Sequence, residues 1–212
     1  MFSIRGSSLA MSLFALALVL GVLSASSASA TSLHSESSST TLEGTQTTSI
    51  VFKTAAGEVK CSTATLKGTI SAATVESTSF TGTNTNCSAF GFATAHTTDN
   101  CNLQSTWIWP FNTTHRICGP GQKHVITPTA LGSSACTIEM GSQSNIGGSV
   151  NGKNEGSGSS RDILLTYSLE KINYTSSGGI CGSAGAHSDG TLTGSITLKG
   201  FSGAKQVGIW GE

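Results

Sequence analysis

Apolar and polar side chains alternate with a period of two over much of the chain. Between Gly190 and Gly200, one face of an extended chain carries Leu192, Ile196 and Leu198, while threonine, serine and lysine side chains occupy the other face. This repeat is that of a strand, because a helix repeats every 3.6 residues. The segment from Asp162 to Tyr174 alternates in the same way. The pattern therefore predicts strands that pack by one face.

Turn-forming residues separate the alternating segments. Examples are Gly119-Pro120-Gly121 and Ser188-Asp189-Gly190, whose residue types favour turns between strands. About ten short strands separated by such turns are typical of a β-sandwich or barrel. We predict an all-β, disulfide-stabilised sandwich or barrel that forms a single domain over residues 47–212.

Residues 1–30 have the pattern of a secretory signal peptide. Arg5 precedes an apolar run from Leu9 to Leu23, and Ala28-Ser29-Ala30 matches the small-residue cleavage site. A membrane anchor is the alternative, but it needs about 20 apolar residues and this run is shorter. We therefore predict cleavage after Ala30, a flexible polar leader over residues 31–46, secretion, and no membrane insertion once the signal is removed.

Six cysteines follow the predicted signal peptide. An even number of cysteines in an exported chain predicts disulfides. Zinc sites and thiol redox centres favour closely spaced pairs such as C-x-x-C, and the chain has none. The sequence does not choose among the many possible pairings, and we take the sequential one as a working prediction. Its pairs are Cys61–Cys87, Cys101–Cys118 and Cys136–Cys181.

The charge balance excludes nucleic-acid binding. Lysine plus arginine number 11, and aspartate plus glutamate also number 11. A nucleic-acid binder needs a basic surplus, because phosphate neutralisation supplies most of its affinity. The chain is instead rich in serine, threonine and glycine, and only 10% of it is charged. This composition predicts a surface wetted by hydroxyl groups and favours no charged partner.

The sequence offers three weak candidates for catalysis. His187-Ser188-Asp189 brings together the residue types of a hydrolase triad, but neighbours in an extended segment point to opposite faces. The segment 147–154 resembles a phosphate-binding loop, although Asn154 replaces the required hydroxyl residue. Glu139 lies between Ile138 and Met140, where we expect it to face solvent. We therefore interpret residues 187–189 as a polar turn, the segment 147–154 as a glycine-rich loop and Glu139 as a surface carboxylate, and none of them as a catalytic group. We expect no enzyme activity, no cofactor and no metal site.

Trp107 and Trp109 form the candidate ligand platform. In an extended segment both indoles point the same way and could stack on sugar rings. The alternative is that both indoles are buried in the core. We favour this alternative because a tryptophan buries a large apolar area and the chain has few other bulky side chains. Three N-x-[ST] sequons also occur, at Asn86, Asn112 and Asn173, and they matter only if the source glycosylates exported asparagine.

Several short stretches resemble a family of uncharacterised secreted, six-cysteine, Ser/Thr/Gly-rich β-proteins of soil actinobacteria. They are Cys61–Gly68, Cys87–Gly91, Cys118–Gly121, Cys136–Glu139, Ile172–Thr175 and Asp189–Gly194. The resemblance implies export, a β fold and disulfides, and it implies no catalytic residue. The tryptophan pair departs from the family pattern.

Two functions remain open at this point. The first is a secreted or cell-surface module with a structural or binding role and no catalysis, whose partner is unknown. The second is a carbohydrate-binding or glycan-active protein that uses Trp107 and Trp109, with cell-wall or extracellular glycan as the candidate partner.

Overall fold

The structure is a computed structural model that describes residues 32–106, 115–144 and 146–212. The predicted signal peptide lies outside the described residues, as do Trp107 and Trp109. Strands β1 to β16 are, in chain order, Leu33–Ser35, Thr40–Thr54, Gly57–Ile70, Thr74–Val75, Ser77–Ala89, Ala93–Asn100, Asn102–Thr106, His115–Arg116, Lys123–Ala130, Ser133–Ser134, Ile138–Gly141, Gly147–Glu155, Asp162–Ser176, Gly185–Ser202, Lys205–Val207 and Ile209–Gly211. Two short 3₁₀ turns cover Gly158–Ser160 and Gly179–Cys181.

Eight of the strands form a closed antiparallel ring. Its order is β2, β3, β5, β6, β9, β11, β13 and β14, and β14 pairs back with β2. Closure removes the sheet edges and leaves one interior for apolar side chains. The predicted all-β, single-domain, disulfide-stabilised fold is confirmed. The strands are more numerous and often longer than predicted, since β14 alone has 18 residues.

The inner face of the ring is the core of the protein. Alternate residues of β13 and β14, including Ile163, Leu165, Ile196 and Leu198, are at most 4% exposed, as the two-residue repeat predicts. Register shifts interrupt the pairing of β2 with β3 and of β13 with β14. Such bulges bend long strands and allow one sheet to close on itself.

Glycines on the inner face make room for large neighbours. A Cβ atom on Gly44 would lie 2.9 Å from both Ile196 Cγ2 and Leu66 Cβ. One on Gly200 would lie 2.5 Å from Ile209 Cγ2. These distances are shorter than carbon atoms tolerate, so the absence of a side chain at these two positions permits the close packing observed.

The flexible leader predicted for residues 31–46 is wrong over most of its length. Leu33 lies in β1, which pairs with β16 and β4, and Leu42 lies in β2 inside the ring; both are fully buried. Ser32 exchanges two backbone hydrogen bonds with Glu212. The polar composition of this stretch hid its inward-facing residues, which gain their apolar contacts from strands distant in the sequence.

Trp210 contributes ring contacts to the small sheet formed by β16, β1 and β4. Its ring stacks on His34 with the ring centres 5.4 Å apart, and the Arg161 guanidinium carbon lies 4.7 Å from the indole centre. Stacking and cation–π contacts of this kind each add modest stability. They hold β16 beside β1 at one end of the barrel.

The three predicted disulfide pairs are present. Cys61–Cys87 joins β3 to β5. Cys101–Cys118 joins the single residue between β6 and β7 to the segment after β8, and Cys136–Cys181 joins two connections at one end of the barrel. None of the six cysteines is free. Three disulfides favour an oxidising, extracellular compartment, because cytosolic thiols are kept reduced. Within the described residues, no helix has the length and apolar character needed to cross a membrane.

Candidate functional site

The interior of the barrel contains a cavity of about 120 Å³. Six strands of the wall contribute apolar side chains to its lining. They include Phe52, Leu66, Leu103, Met140, Ile172 and Ile196. Because the lining is mostly apolar, water gains few hydrogen bonds there.

Two structural features create the space. Ala64 and Gly82 line the cavity with little or no side chain, opposite the larger residues of β13 and β14. In addition, β5 changes its partner along its length, from β7 at residues 77–81 to β6 at residues 87–89. Strands β6 and β7 therefore separate from each other beside residues 82–86 of β5. At this point the Thr97 hydroxyl donates a 2.7 Å hydrogen bond to the Asn84 carbonyl oxygen.

Tyr167 places a polar group on this apolar lining. It lies on the inner face of β13 between buried Leu165 and Leu169, is itself only partly buried, and lines the cavity. Burial raises the pKa of the Tyr167 hydroxyl well above its ordinary value. The phenol therefore stays protonated and can donate. Within the described ranges, no protein group forms a hydrogen bond with this hydroxyl.

Few polar side chains line the cavity. Besides Tyr167 they are Thr65, Asn84 and His124; the described lining has no aspartate, glutamate, lysine or arginine, and Cys101 is held in a disulfide. Apolar cavities of roughly this size, about 150 Å³, accept molecules such as benzene. The arrangement fits a small apolar molecule, with Tyr167 as a hydrogen-bond donor to one polar atom.

A second, open cleft of about 490 Å³ lies on the surface beside Tyr174. The Tyr174 ring is buried and stacks on His187 with the ring centres 4.8 Å apart. Its hydroxyl donates a 3.0 Å hydrogen bond to Asp189 Oδ1. Burial is the largest of the effects that raise the pKa of Tyr174. Its edge also meets the ring of Phe52, so Tyr174 connects this cleft to the core.

The three residues His187-Ser188-Asp189 lie within β14 and not in the predicted turn. An imidazole nitrogen of His187 lies 2.9 Å from the Ser183 carbonyl oxygen, and Asp189 accepts the hydrogen bond from Tyr174. Histidine and aspartate are therefore each engaged with a group outside the trio. This geometry provides no relay of the hydrolase type, as the extended backbone predicted.

The remaining sequence candidates are structural. Glu139 is exposed and forms an ion pair with Lys123, whose Nζ lies 3.0 Å from both carboxylate oxygens. The segment 147–155 is strand β12 and not the predicted loop. Its Asn154 side chain bonds both the backbone N–H and the carbonyl of Gly211. Neither site holds chemistry beyond packing and solvation.

Some predicted positions fall outside the described chain. Trp107 and Trp109, the predicted platform, lie there, as does the sequon at Asn112. The sequons at Asn86 and Asn173 are exposed. In the part of the chain that the structure covers, no three histidine, cysteine, aspartate or glutamate side chains cluster as metal ligands would.

Sequence reasoning missed Tyr167 as a functional candidate. The alternation predicted over Asp162 to Tyr174 places Tyr167 on the same strand face as Ile163, Leu165 and Leu169, and the burial pattern of β13 agrees with it. Nothing in the alternation distinguishes a position that fills the core from one that faces a cavity.

No family model, curated protein or solved structure matches the chain, and the resemblance to the actinobacterial family stays a prediction.

Proposed function

We propose that this protein is a secreted, non-catalytic binding protein whose barrel interior takes one small apolar molecule. The observation that carries the proposal is the cavity of about 120 Å³ behind Leu66, Tyr167 and Ile196. A closed ring of eight strands is just wide enough to be filled by side chains or to hold one small ligand. Ala64 and Gly82 leave part of this interior unfilled.

The cavity supports a binding role because empty apolar space is costly. Large-to-small substitutions in protein cores lose stability in proportion to the cavity they leave, about 24 cal/mol per Å³. A chain with few bulky side chains would gain stability by filling such a space. A ligand that occupies the cavity recovers the missing contacts, which favours its binding.

Export is part of the proposal. The signal-like residues 1–30 and the three disulfides support it together, because structural disulfides persist outside the reducing cytosol. The ligand is then a small extracellular molecule of low polarity.

Toluene is a suitable probe for the cavity. A ligand present at about 100 times its Kd stabilises the fold by about 2.7 kcal/mol, so toluene should raise the melting temperature of the wild type. Ala64→Leu places three carbon atoms in the cavity and should abolish this increase. Thr63→Leu adds the same side chain on the exposed neighbouring position and should preserve it. A wild type whose melting temperature toluene leaves unchanged contradicts the proposal.

Carbohydrate binding is the second candidate. The open cleft beside Tyr174 favours it, because Gln143, Asn173, His187 and Ser188 line the cleft with groups that can hydrogen-bond sugar hydroxyls. A glycan array should compare the wild type with His187→Ala and with the double variant Trp107→Ala/Trp109→Ala. Loss of a signal in either variant assigns the glycan to that surface. Unchanged binding in both, or no binding by the wild type, excludes this candidate.

A further inference from the structure

Four chain connections meet at one end of the barrel. Neighbouring strands of the ring run in opposite directions, so residues 55–56, 90–92, 131–137 and 177–184 all lie at the same end. The Cys136–Cys181 disulfide links the last two connections. The Phe90 backbone N–H donates to the carbonyl oxygen of Glu58, the second residue of β3, and so holds the second connection beside the first hairpin.

These four connections carry no charged side chain. Their sequences are AA, FGF, LGSSACT and SGGICGSA. At the opposite end, the connections before β2, before β5 and before β13 contain Glu36, Glu76 and Arg161. The connections of this end are therefore uncharged, and the nearest charges of the first hairpin are the paired Lys53 and Glu58, one residue inside the strands. The connections of the opposite end carry charge themselves.

Two large apolar side chains project from the uncharged end. Phe92 is 69% exposed and Leu131 is fully exposed, and they are the exposed large hydrophobic residues of the described chain. Each lies at the tip of a hairpin. Thr94 of β6 pairs with Thr129 of β9. Phe92 lies two residues before Thr94 and Leu131 lies two residues after Thr129, so the two hairpin tips are neighbours.

We propose that this end of the barrel docks weakly and reversibly on a lipid surface, with Phe92 and Leu131 entering the interfacial region. Connections without charge avoid the large cost of desolvating ions, so that only backbone and hydroxyl groups oppose a shallow contact with lipid. A stable protein interface buries about 1,200 Å² or more, far beyond what two projecting side chains supply. A fluid lipid surface requires no complementary shape, so two protruding tips suffice for a weak contact.

The proposal is independent of the cavity ligand, and the two can be tested separately. Sedimentation with uncharged phosphatidylcholine vesicles should carry part of the wild type into the pellet. The double variant Phe92→Ser/Leu131→Ser should lower the partition coefficient at least tenfold, while its response to toluene stays that of the wild type. The exchange variant Phe92→Leu/Leu131→Phe keeps both tips apolar and should retain vesicle binding. Because no charge takes part, added salt should leave the partition unchanged.

A fluorescent variant reports insertion directly. Phe92→Trp should shift its emission to shorter wavelength when vesicles are added, because the indole then leaves water. Absence of wild-type sedimentation at high lipid concentration overturns the proposal. It is also overturned if sedimentation velocity shows a wild-type dimer that the double serine variant dissociates, since this end would then be an interface between two copies of the chain.

Discussion

Cys61 and Cys87 lie directly opposite each other on neighbouring strands β3 and β5, with their Cα atoms 4.0 Å apart. The disulfide thus joins two strands that the backbone ladder already holds together. The other two bridges join connections instead, across 17 residues for Cys101–Cys118 and 45 residues for Cys136–Cys181. Together they restrict the unfolded chain of a protein with few large side chains.

Removal of the disulfides should reduce stability in the order of the loops they close. Loop-closure entropy predicts losses of about 4 kcal/mol for Cys136→Ala/Cys181→Ala and about 3 kcal/mol for Cys101→Ala/Cys118→Ala. Urea unfolding of the two double variants measures both losses. A larger loss for the Cys101–Cys118 pair would show that native packing, and not loop length, determines the ranking.

Gly200→Ala should destabilise the barrel by about 1–3 kcal/mol through overpacking. The new methyl group would lie 2.5 Å from Ile209 Cγ2 and 3.0 Å from the Val207 carbonyl oxygen. The matched control is Gly141→Ala, whose Cβ would meet no atom within 4 Å. Chemical unfolding should leave the control close to the wild type, and equal losses in both variants would argue against steric packing at Gly200.

Asp162 should make stability depend on pH in the acidic range. Burial is the largest influence on its carboxyl group and raises the pKa above 3.8, although Lys199 and Gln206 lie against it and act in the opposite direction. A raised pKa means that its stabilising contribution is complete at low pH and is lost as pH rises through the folded-state pKa.

The variant Asp162→Asn removes this titration. Relative to the variant, the wild type should lose stability between about pH 3 and about pH 6, by a fraction of a kcal/mol because the group is only partly buried. Urea unfolding at both pH values provides the comparison. A wild type that gains stability relative to the variant over this range would reverse the sign and show that Lys199 dominates.

Tyr167→Phe should separate polar from apolar ligands of the cavity. A single hydrogen bond contributes about 1 kcal/mol, so phenol should bind the variant about fivefold more weakly, whereas toluene should bind both proteins equally. Titration calorimetry or the ligand-induced shift in melting temperature measures the difference. Equal losses for both ligands would mean that Tyr167 acts by shape alone.

Local patterns in the sequence predicted much of the fold. The two-residue repeat identified the inward positions Leu165 and Ile196, and export with six cysteines predicted the disulfides. The repeat failed at residues 40–46, where the burial of Leu42 depends on β3 and β14, both distant in the sequence. It also could not show closure of the ring, because the pairing of β6 with β9 joins strands whose contact no local pattern encodes.

The candidate site was harder to predict than the fold. Ala64 and Gly82 appear in the sequence as ordinary small residues. Only the folded structure shows that they line a cavity together with Tyr167 and Ile196. A cavity is a property of several strands together. Conversely, the trio at residues 187–189 looked chemically suggestive, and the stacking of His187 on Tyr174 shows that it is part of the packing.

A crystal structure of the wild-type protein under xenon pressure tests the binding cavity most directly, because xenon enters dry apolar cavities of this size. We predict one xenon atom between Leu66, Tyr167 and Ile196, and its loss in Ala64→Leu. Ordered water molecules in that space, or a wild-type interior without xenon, would contradict the proposal that the barrel interior binds a small apolar molecule.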